Sequence, residues 1–472
     1  MNFMSDKSKS ELLKEELFYT KRNALAECSD EEIQTAFDFC EGYKSFLNTA
    51  KTEREANSEI IRLAKEQGFV EFDSSKKYNS GDKVYYDNRG KAVILCVIGT
   101  RPVEQGVRIA AAHIDSPRLD LKPNPLYEDS DLALFKTHYY GGLRKYQWTA
   151  VPLALHGVVI KADGERLQVR IGEEDGDTHF VITDLLPHLA LEQAKRPLAE
   201  AIKGEELNIL VGSRPFRDDN ASEAVKLNIM KLLNEKYGLI EEDFLSAELE
   251  IVPAYKSTDI GFDRSMIGSY GHDDRVCAYP SMMAALAVTN PEVTTVTVLT
   301  DKEEIGSDGN TGLNSSYLKY FIHHIAKMQG GDACTALENS ECLSADVNAA
   351  FDPTFSDVFE KRNASVLNGG ACITKYTGSR GKSGSSDASA EFMGRVRTFL
   401  NKDKVIWQTG ELGKVDAGGG GTVAMFIANL GVDVVDLGVP VLSMHSPFEV
   451  VAKMDVYMCY RAVKSFFEAE LR

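Results

Sequence analysis

No run of about eighteen apolar residues occurs in the sequence, so no membrane-spanning helix is expected. The N-terminus, MNFMSDKSKSELLKEELFYTKRNALAE, also lacks an apolar signal core. It reads as a charged amphipathic helix, and the expected compartment is cytoplasmic. Positive charge is scarce as well: the net charge of -18 disfavours nucleic acid and anionic lipid, whose phosphates would be repelled. The eight cysteines fall at irregular spacings without any CxxC, mostly in apolar surroundings. That excludes a disulfide framework and a thiolate metal site, and leaves reduced packing residues. No repeat period or low-complexity tract is visible, which removes support for a solenoid or a disordered scaffold.

What is present is a globular composition, 43% hydrophobic and 26% charged, in a chain of 472 residues that suggests two or three domains. Residues 8 to 67 alternate charged and apolar groups at helical spacing. KAVILCVIGT (91 to 100) and VRIAAAHID (107 to 115) are nearly continuous apolar runs, as in strands buried on both faces. CAYPSMMAALAVTN (277 to 290) reads as helix, followed by the strand TTVTVLT, the helix SSYLKYFIHHIAKMQ (315 to 329) and the strand-like CLSADVNAAF (342 to 351). Strand and helix alternate, which predicts an α/β fold, a sheet covered by helices. Residues 124 to 240 have another texture, with alternating apolar positions flanking the turn signal Asp163-Gly164. The expected organisation is therefore a catalytic domain in two parts, 1 to 123 and 241 to 472, around an inserted β-rich domain at 124 to 240.

In open α/β sheets, ligands bind beyond the carboxyl ends of the strands. Polar residues that follow the buried runs are His113 and Asp115, then His272, Asp273 and Asp274, then Glu303 and Glu304, then Asp346, and last His445. Each alone reads more readily as a satisfied structural group or cap. Together, several carboxylates converging on one sheet edge would repel one another unless divalent cations neutralised them. Imidazoles and carboxylates without thiolate suit zinc, manganese or cobalt. A bridging carboxylate and two ions about 3.5 to 4 Å apart would acidify a shared water and polarise a carbonyl, the outline of a hydrolase. In an extended segment Glu303 and Glu304 would point in different directions, so one is expected to ligate and the other to carry the proton of water to the leaving amine.

The fragments AAHIDSPRLDLKP, GHDDR, TDKEEIGS, SADVNAAFDP and DLGVPVLSMHSP occur in the order and approximate spacing seen in the aspartyl aminopeptidase family of dinuclear zinc exopeptidases, which the chain resembles from about residue 80 to its end. The resemblance implies a mixed sheet of the zinc exopeptidase type with an inserted dimerisation domain. It implies His113, Asp273, Glu304, Asp346 and His445 as metal ligands, with Asp273 bridging two zinc ions, and Glu303 as general base. Asp115 matches the carboxylate that orients the first imidazole, a role the chemistry asks for independently. His188, in TDLLPHLAL, matches a histidine that reaches the neighbouring subunit's active site, and Lys375 a basic residue associated with acidic substrate side chains. Peptides with a free N-terminus are the implied substrates, and the implied assembly is a dodecamer built from dimers.

Where the eukaryotic branch of the family carries two further histidines, this chain has Ala349 and Asp352, which weakens the case for a strict aspartyl preference and opens neutral residues. The Walker spacing would need glycine at Tyr376, so YTGSRGKSGSSD reads as a flexible loop, and DAGGGGTVAMFIANLG as close backbone approach beside substrate. His323 and His324 read as surface or interhelical residues, His272 as support for its neighbour, and His138 as a residue near the domain junction. The alternatives to an aminopeptidase are an N-acyl deacylase or dipeptidase of the same chemistry and, behind it, a non-catalytic scaffold.

Overall fold

The computed structural model describes residues 7–218 and 221–470. The first six residues of the N-terminal stretch lie outside them; the helix expected there runs Lys9–Leu17 and buries none of its side chains. Two further helices, Asp30–Thr49 and Glu53–Glu66, begin at capping boxes in which Ser29 and Thr52 accept from the third backbone N–H of the first turn. Their apolar stripes, including Tyr43, Phe46, Leu47 and Ile60, are buried.

The continuous apolar runs form the middle of a nine-stranded mixed sheet. Thr295–Thr300, Arg108–His113, Glu341–Ser344 and Asp433–Gly438 lie side by side and parallel. All four therefore point their C-terminal ends at one edge. Lys83–Asn88, Ala92–Val97 and Ala371–Thr374 join this block through antiparallel pairs. Alternate side chains go to opposite layers: Ala110, Leu299, Leu343 and Val435 pack in one core with the helices His272–Ala287 and Lys453–Glu468. Ile109, Val298, Cys342 and Val434 pack in another with the helix Tyr317–Met328. Cover on both faces is why these strands read as apolar throughout, and each buried aliphatic side chain contributes about 1.5–3 kcal/mol.

The stretch 342–351 departs from the expected single strand. Glu341–Ser344 stays in the large sheet, whereas Asn348–Ala349 pairs with Pro440–Leu442 in a separate five-stranded sheet. The chain breaks between them to turn Asp346 over the sheet edge, and an apolar run does not reveal such a break. The five-stranded sheet also contains Met266–Ser269 and Glu449–Ala452, so it carries the segment that precedes Asp273 and the two that flank His445.

A third sheet has six antiparallel strands drawn from Arg118 to Pro253. Its core is its own, with Leu119, Phe135, Trp148, Leu155, Ile209 and Ile251 buried together. The Asp163-Gly164 signal lies in the turn joining Leu153–Ile160 to Arg166–Ile171, where Gly164 adopts φ +86° and Lys161 N–H donates to Glu165 O. No helix of the described residues is long and apolar enough to cross a membrane.

Candidate metal centre and active site

Because the four central strands are parallel, the residues that end or follow them meet at one edge. His113 is the last residue of its strand. Glu303 and Glu304 follow Thr300 after a left-handed Lys302 (φ 68°) and occupy a 3-10 turn, not the extended segment expected. The reason is local: Asp115 accepts both of their backbone N–H groups, at 3.2 Å each, and curls the chain around its carboxylate. The two side chains still diverge. Glu303 Oε2 lies 3.9 Å from His113 Nε2, and Glu304 Oε1 lies 3.6 Å from His445 Nε2.

Asp273 stands between the two imidazoles, with Oδ1 3.1 Å from His113 Nε2 and Oδ2 3.1 Å from His445 Nε2. Two donor sets result, one of His113, Asp273 and Asp346, the other of Asp273, Glu304 and His445, each with its atoms within 4.8 Å of one another. Asp273 belongs to both. Burial, with the neighbouring negative charges adding to it, pushes Glu304 and Asp346 well above the usual carboxylate range. Burial also pushes Glu303 up to about 7, against the charge of His113. Glu304 Oε1 is buried without a hydrogen-bond partner. Uncompensated ions at this depth cost several kcal/mol each, and a divalent cation removes that cost. The nitrogen and oxygen donors thus fit zinc and its chemical neighbours.

The other nitrogens of the two imidazoles are held. His113 Nδ1 lies 3.0 Å from Asp115 O and 3.3 Å from its carboxylate, and His445 Nδ1 is 2.7 Å from Gly142 O. Contacts of this kind fix tautomer and ring orientation. Two supporting residues, Glu449 and Tyr140, escaped sequence reasoning, and Asp274, already collected among the strand-end polar residues, supports the site beside them. Glu449 is buried and accepts from Asp273 N–H at 3.1 Å and His445 N–H at 2.7 Å, so one carboxylate ties two donor segments together. Asp274 accepts from His113 N–H at 3.3 Å. Tyr140 donates its hydroxyl to Asp115 at 2.8 Å, and the Arg118 guanidinium lies 3.9 Å from the centre of its ring. The spacing of Glu449, four residues after His445 across a hairpin, was the available signal; Tyr140, on a strand of the six-stranded sheet, offered none. Replacing Tyr140→Phe is expected to lower kcat/KM about tenfold, as removing one hydrogen bond to a charged group costs roughly 1.5–3 kcal/mol. Steady-state kinetics beside metal analysis checks this, and an unchanged kcat/KM would refute it.

These groups open on a cavity of about 350 Å³ lined by Asp273, Glu303, Glu304, Asp346 and His445, with Gly419, Gly420 and Gly421 on another wall. A Cβ at Gly419, whose φ is +128°, would meet Gly378 O at 2.3 Å, which accounts for glycine there. Lys375 does not line the cavity; its ammonium pairs with Asp387 at 2.8 Å. His188 is exposed on a segment with Leu185, Leu186, Leu189 and Leu191, and within the chain it is not among the cavity-lining residues. His272 is buried, with Nδ1 2.8 Å from Tyr43 Oη and Nε2 3.2 Å from Ile267 O, and it joins neither donor set. His323 and His324 are exposed on their helix. His138 is exposed too, its Nδ1 2.8 Å from Tyr139 O, and Asp352 caps the 3-10 turn Pro353–Val358 by accepting from Thr354 N–H.

Residues 46–467 match the family described as Aminopeptidase I zinc metalloprotease (M18). A relative from Clostridium acetobutylicum, named "Probable M18 family aminopeptidase 1", is 49% identical over 453 residues, covering 94% of this chain and 97% of its own. A relative of the same name from Thermotoga maritima is 46% identical over 453 residues, covering 95% and 99%. The crystal structure of the M18 aminopeptidase from Thermotoga maritima superposes with a TM-score of 0.91 at 45% identity, over 95% of this chain and 99% of that one. With a family match across nearly the whole length, close relatives and a common fold around these residues, the chain belongs to the M18 family of zinc metalloproteases and is a zinc-dependent aminopeptidase.

Proposed function

We propose that His113, Asp273 and Asp346 hold one divalent ion, that Asp273, Glu304 and His445 hold a second, and that Glu303 is the general base for release of N-terminal amino acids from peptides. The observation that carries this reading is the carboxylate of Asp273, each oxygen 3.1 Å from a different imidazole. Bound there, the ions, zinc by family, would supply Lewis acidity toward a water and the scissile carbonyl. Glu303 lines the same cavity yet belongs to neither donor set. Its carboxylate takes a proton from the attacking water and returns it to the departing amine. Asp115 positions both the His113 ring and the Glu303–Glu304 turn, so one residue keeps base and ligands in register.

The inserted dimerisation domain, read from the sequence at 124 to 240, has support in the separate six-stranded sheet and its own core. His188 then acts toward a partner subunit; the exposed leucines at 185, 186, 189 and 191 around it suit a segment that docks on a second copy. A yeast protein of 20% identity, mApe1, has been solved as a dodecamer, and a homo-oligomer of that kind is the assembly we propose here.

The experiment is hydrolysis of aminoacyl anilides, free and N-acetylated, by metal-stripped protein with zinc, manganese or cobalt restored. Cleavage of only the free-amine substrates, and only with metal, is expected. Turnover of the acetylated forms would make the enzyme a deacylase.

A further inference from the structure

We propose that Arg118 is a positioning residue for the reaction: stacked on Tyr140, it fixes the hydroxyl that holds Asp115 and, through Asp115, the turn of Glu303 and Glu304. The inference rests on the reading of the metal centre given above. It adds a residue that belongs to neither donor set and does not line the catalytic cavity, and with it a dependence of catalysis on the six-stranded sheet.

His113 ends a strand of the large sheet, and Arg118 begins the next strand of the chain, in the six-stranded sheet. Its Cα partner on the neighbouring strand is Tyr140, the last residue of that strand. Both side chains are buried, and the guanidinium lies 3.9 Å from the centre of the Tyr140 ring. A flat cation covering one face fixes the plane of the ring, and in that plane the hydroxyl donates to Asp115 Oδ2 at 2.8 Å. The same Oδ2 accepts from Glu304 N–H, and Oδ1 accepts from Glu303 N–H. Of these three donors Tyr140 alone comes from the six-stranded sheet.

Acids from two parts of the fold hold the guanidinium. Its Nε lies 2.9 Å from Asp120 Oδ1 and 3.2 Å from Glu250 Oε2, and its Nη1 lies 3.3 Å from Glu53 Oε2. Asp120 and Glu250 are Cα partners within the six-stranded sheet. Glu53 begins the helix Glu53–Glu66, whose Ala56 and Ile60 pack in a core of the large sheet. Glu53 and Glu250 are buried, and carboxylates at that depth need a cation, which a lysine would also supply. Lys91, 3.4 Å from the other oxygen of Glu53, already shares that work. A lysine would not do the rest. One planar group reaches three acids with its edge while covering an aromatic ring with its face, which a guanidinium does and a compact ammonium does not. Arginine here therefore does more than balance charge: it sets the plane of Tyr140.

The test is a double-mutant cycle on the zinc-loaded enzyme with the best-cleaved free-amine anilide: wild type, Arg118→Lys, Tyr140→Phe and the pair, with metal content and thermal melting measured for each. Arg118→Lys keeps the charge and loses the planar face. It is expected to lower kcat about fivefold, with KM within about twofold and the metals retained. In the Tyr140→Phe background the same change should cost less than about twofold, because the hydroxyl that the arginine orients is already gone. An arginine that served only the fold would cost the same factor in both backgrounds, and that result, or an unchanged kcat in Arg118→Lys, would overturn the proposal. If Arg118→Lys does not fold, Glu53→Gln, which frees one edge of the guanidinium, takes its place in the cycle: about a threefold loss is expected, absent beside Tyr140→Phe, and equal losses in the two backgrounds would overturn the proposal. Hydrogen exchange gives a second readout that needs no turnover. The Glu303 and Glu304 N–H groups bonded to Asp115 should lose protection by at least about fivefold in Arg118→Lys and in Tyr140→Phe, and no further in the pair, whereas unchanged protection in Arg118→Lys would overturn the proposal. Failure of every anilide to be cleaved would instead count against the aminopeptidase reading, and the exchange would still decide the role of Arg118.

Discussion

Glu303→Gln is expected to lower kcat about a thousandfold while KM stays within a few fold and both metals remain bound, the loss falling in the range of 10²–10⁴ typical of a removed general base. The substitution is nearly isosteric. It leaves the Glu303 backbone N–H on Asp115 and touches neither donor set. What disappears is the ability to take a proton from water at the mouth of the metal site. Steady-state kinetics beside elemental analysis of the same preparation separates this from metal loss. A kcat within tenfold of wild type would remove Glu303 from the role, and loss of metal would move it into the ligand shell.

Asp273→Ala should have the larger effect, since it deletes the one donor common to both sets. The expected result is activity below detection and a metal content falling from about two ions per chain to under half of one, because each site is left with two donors and Ala cannot bridge. Glu304→Ala and Asp346→Ala each remove a donor from one set only, so each should keep about one ion and bind it more weakly. Thermal stability should follow the same order, since whatever binds only the folded state stabilises it. An Asp273→Ala protein that retained the full metal complement would exclude the shared role, and equal losses in all three variants would show that the two sites fill only together.

Much of the centre was legible because its chemistry is local to strand ends. His113, Asp346 and the Glu303-Glu304 pair each follow a buried apolar run, and parallel strands bring such positions to one edge whatever the loops between them do. The hairpin at Asp163-Gly164 was legible for a similar reason, since turn chemistry and alternation act over neighbouring residues. The 3-10 turn at Glu303 was not, because it is imposed by a carboxylate nearly two hundred residues earlier, at Asp115. Glu449 and Tyr140 escaped for the same cause. Each serves the site through a single hydrogen bond or a pair of them that reaches a segment distant in sequence, and apart from the four-residue step from His445 to Glu449 there is no periodicity or spacing to read.

The sequence by itself determined the buried strands, the helices that cover them, the residues at their ends and, through the ordered fragments, the metal chemistry those ends support. These are properties of short windows, set by burial period and residue type. Which carboxylate lies between two imidazoles and which holds a turn was decided only by the tertiary structure. Asp115 makes the point: in VRIAAAHID it follows a histidine by two residues, and nothing in that window shows that it also accepts the backbone N–H groups of Glu303 and Glu304. Desolvation and partnering are sums over residues brought together from the whole chain, so which carboxylate holds which segment is settled only once the chain has folded.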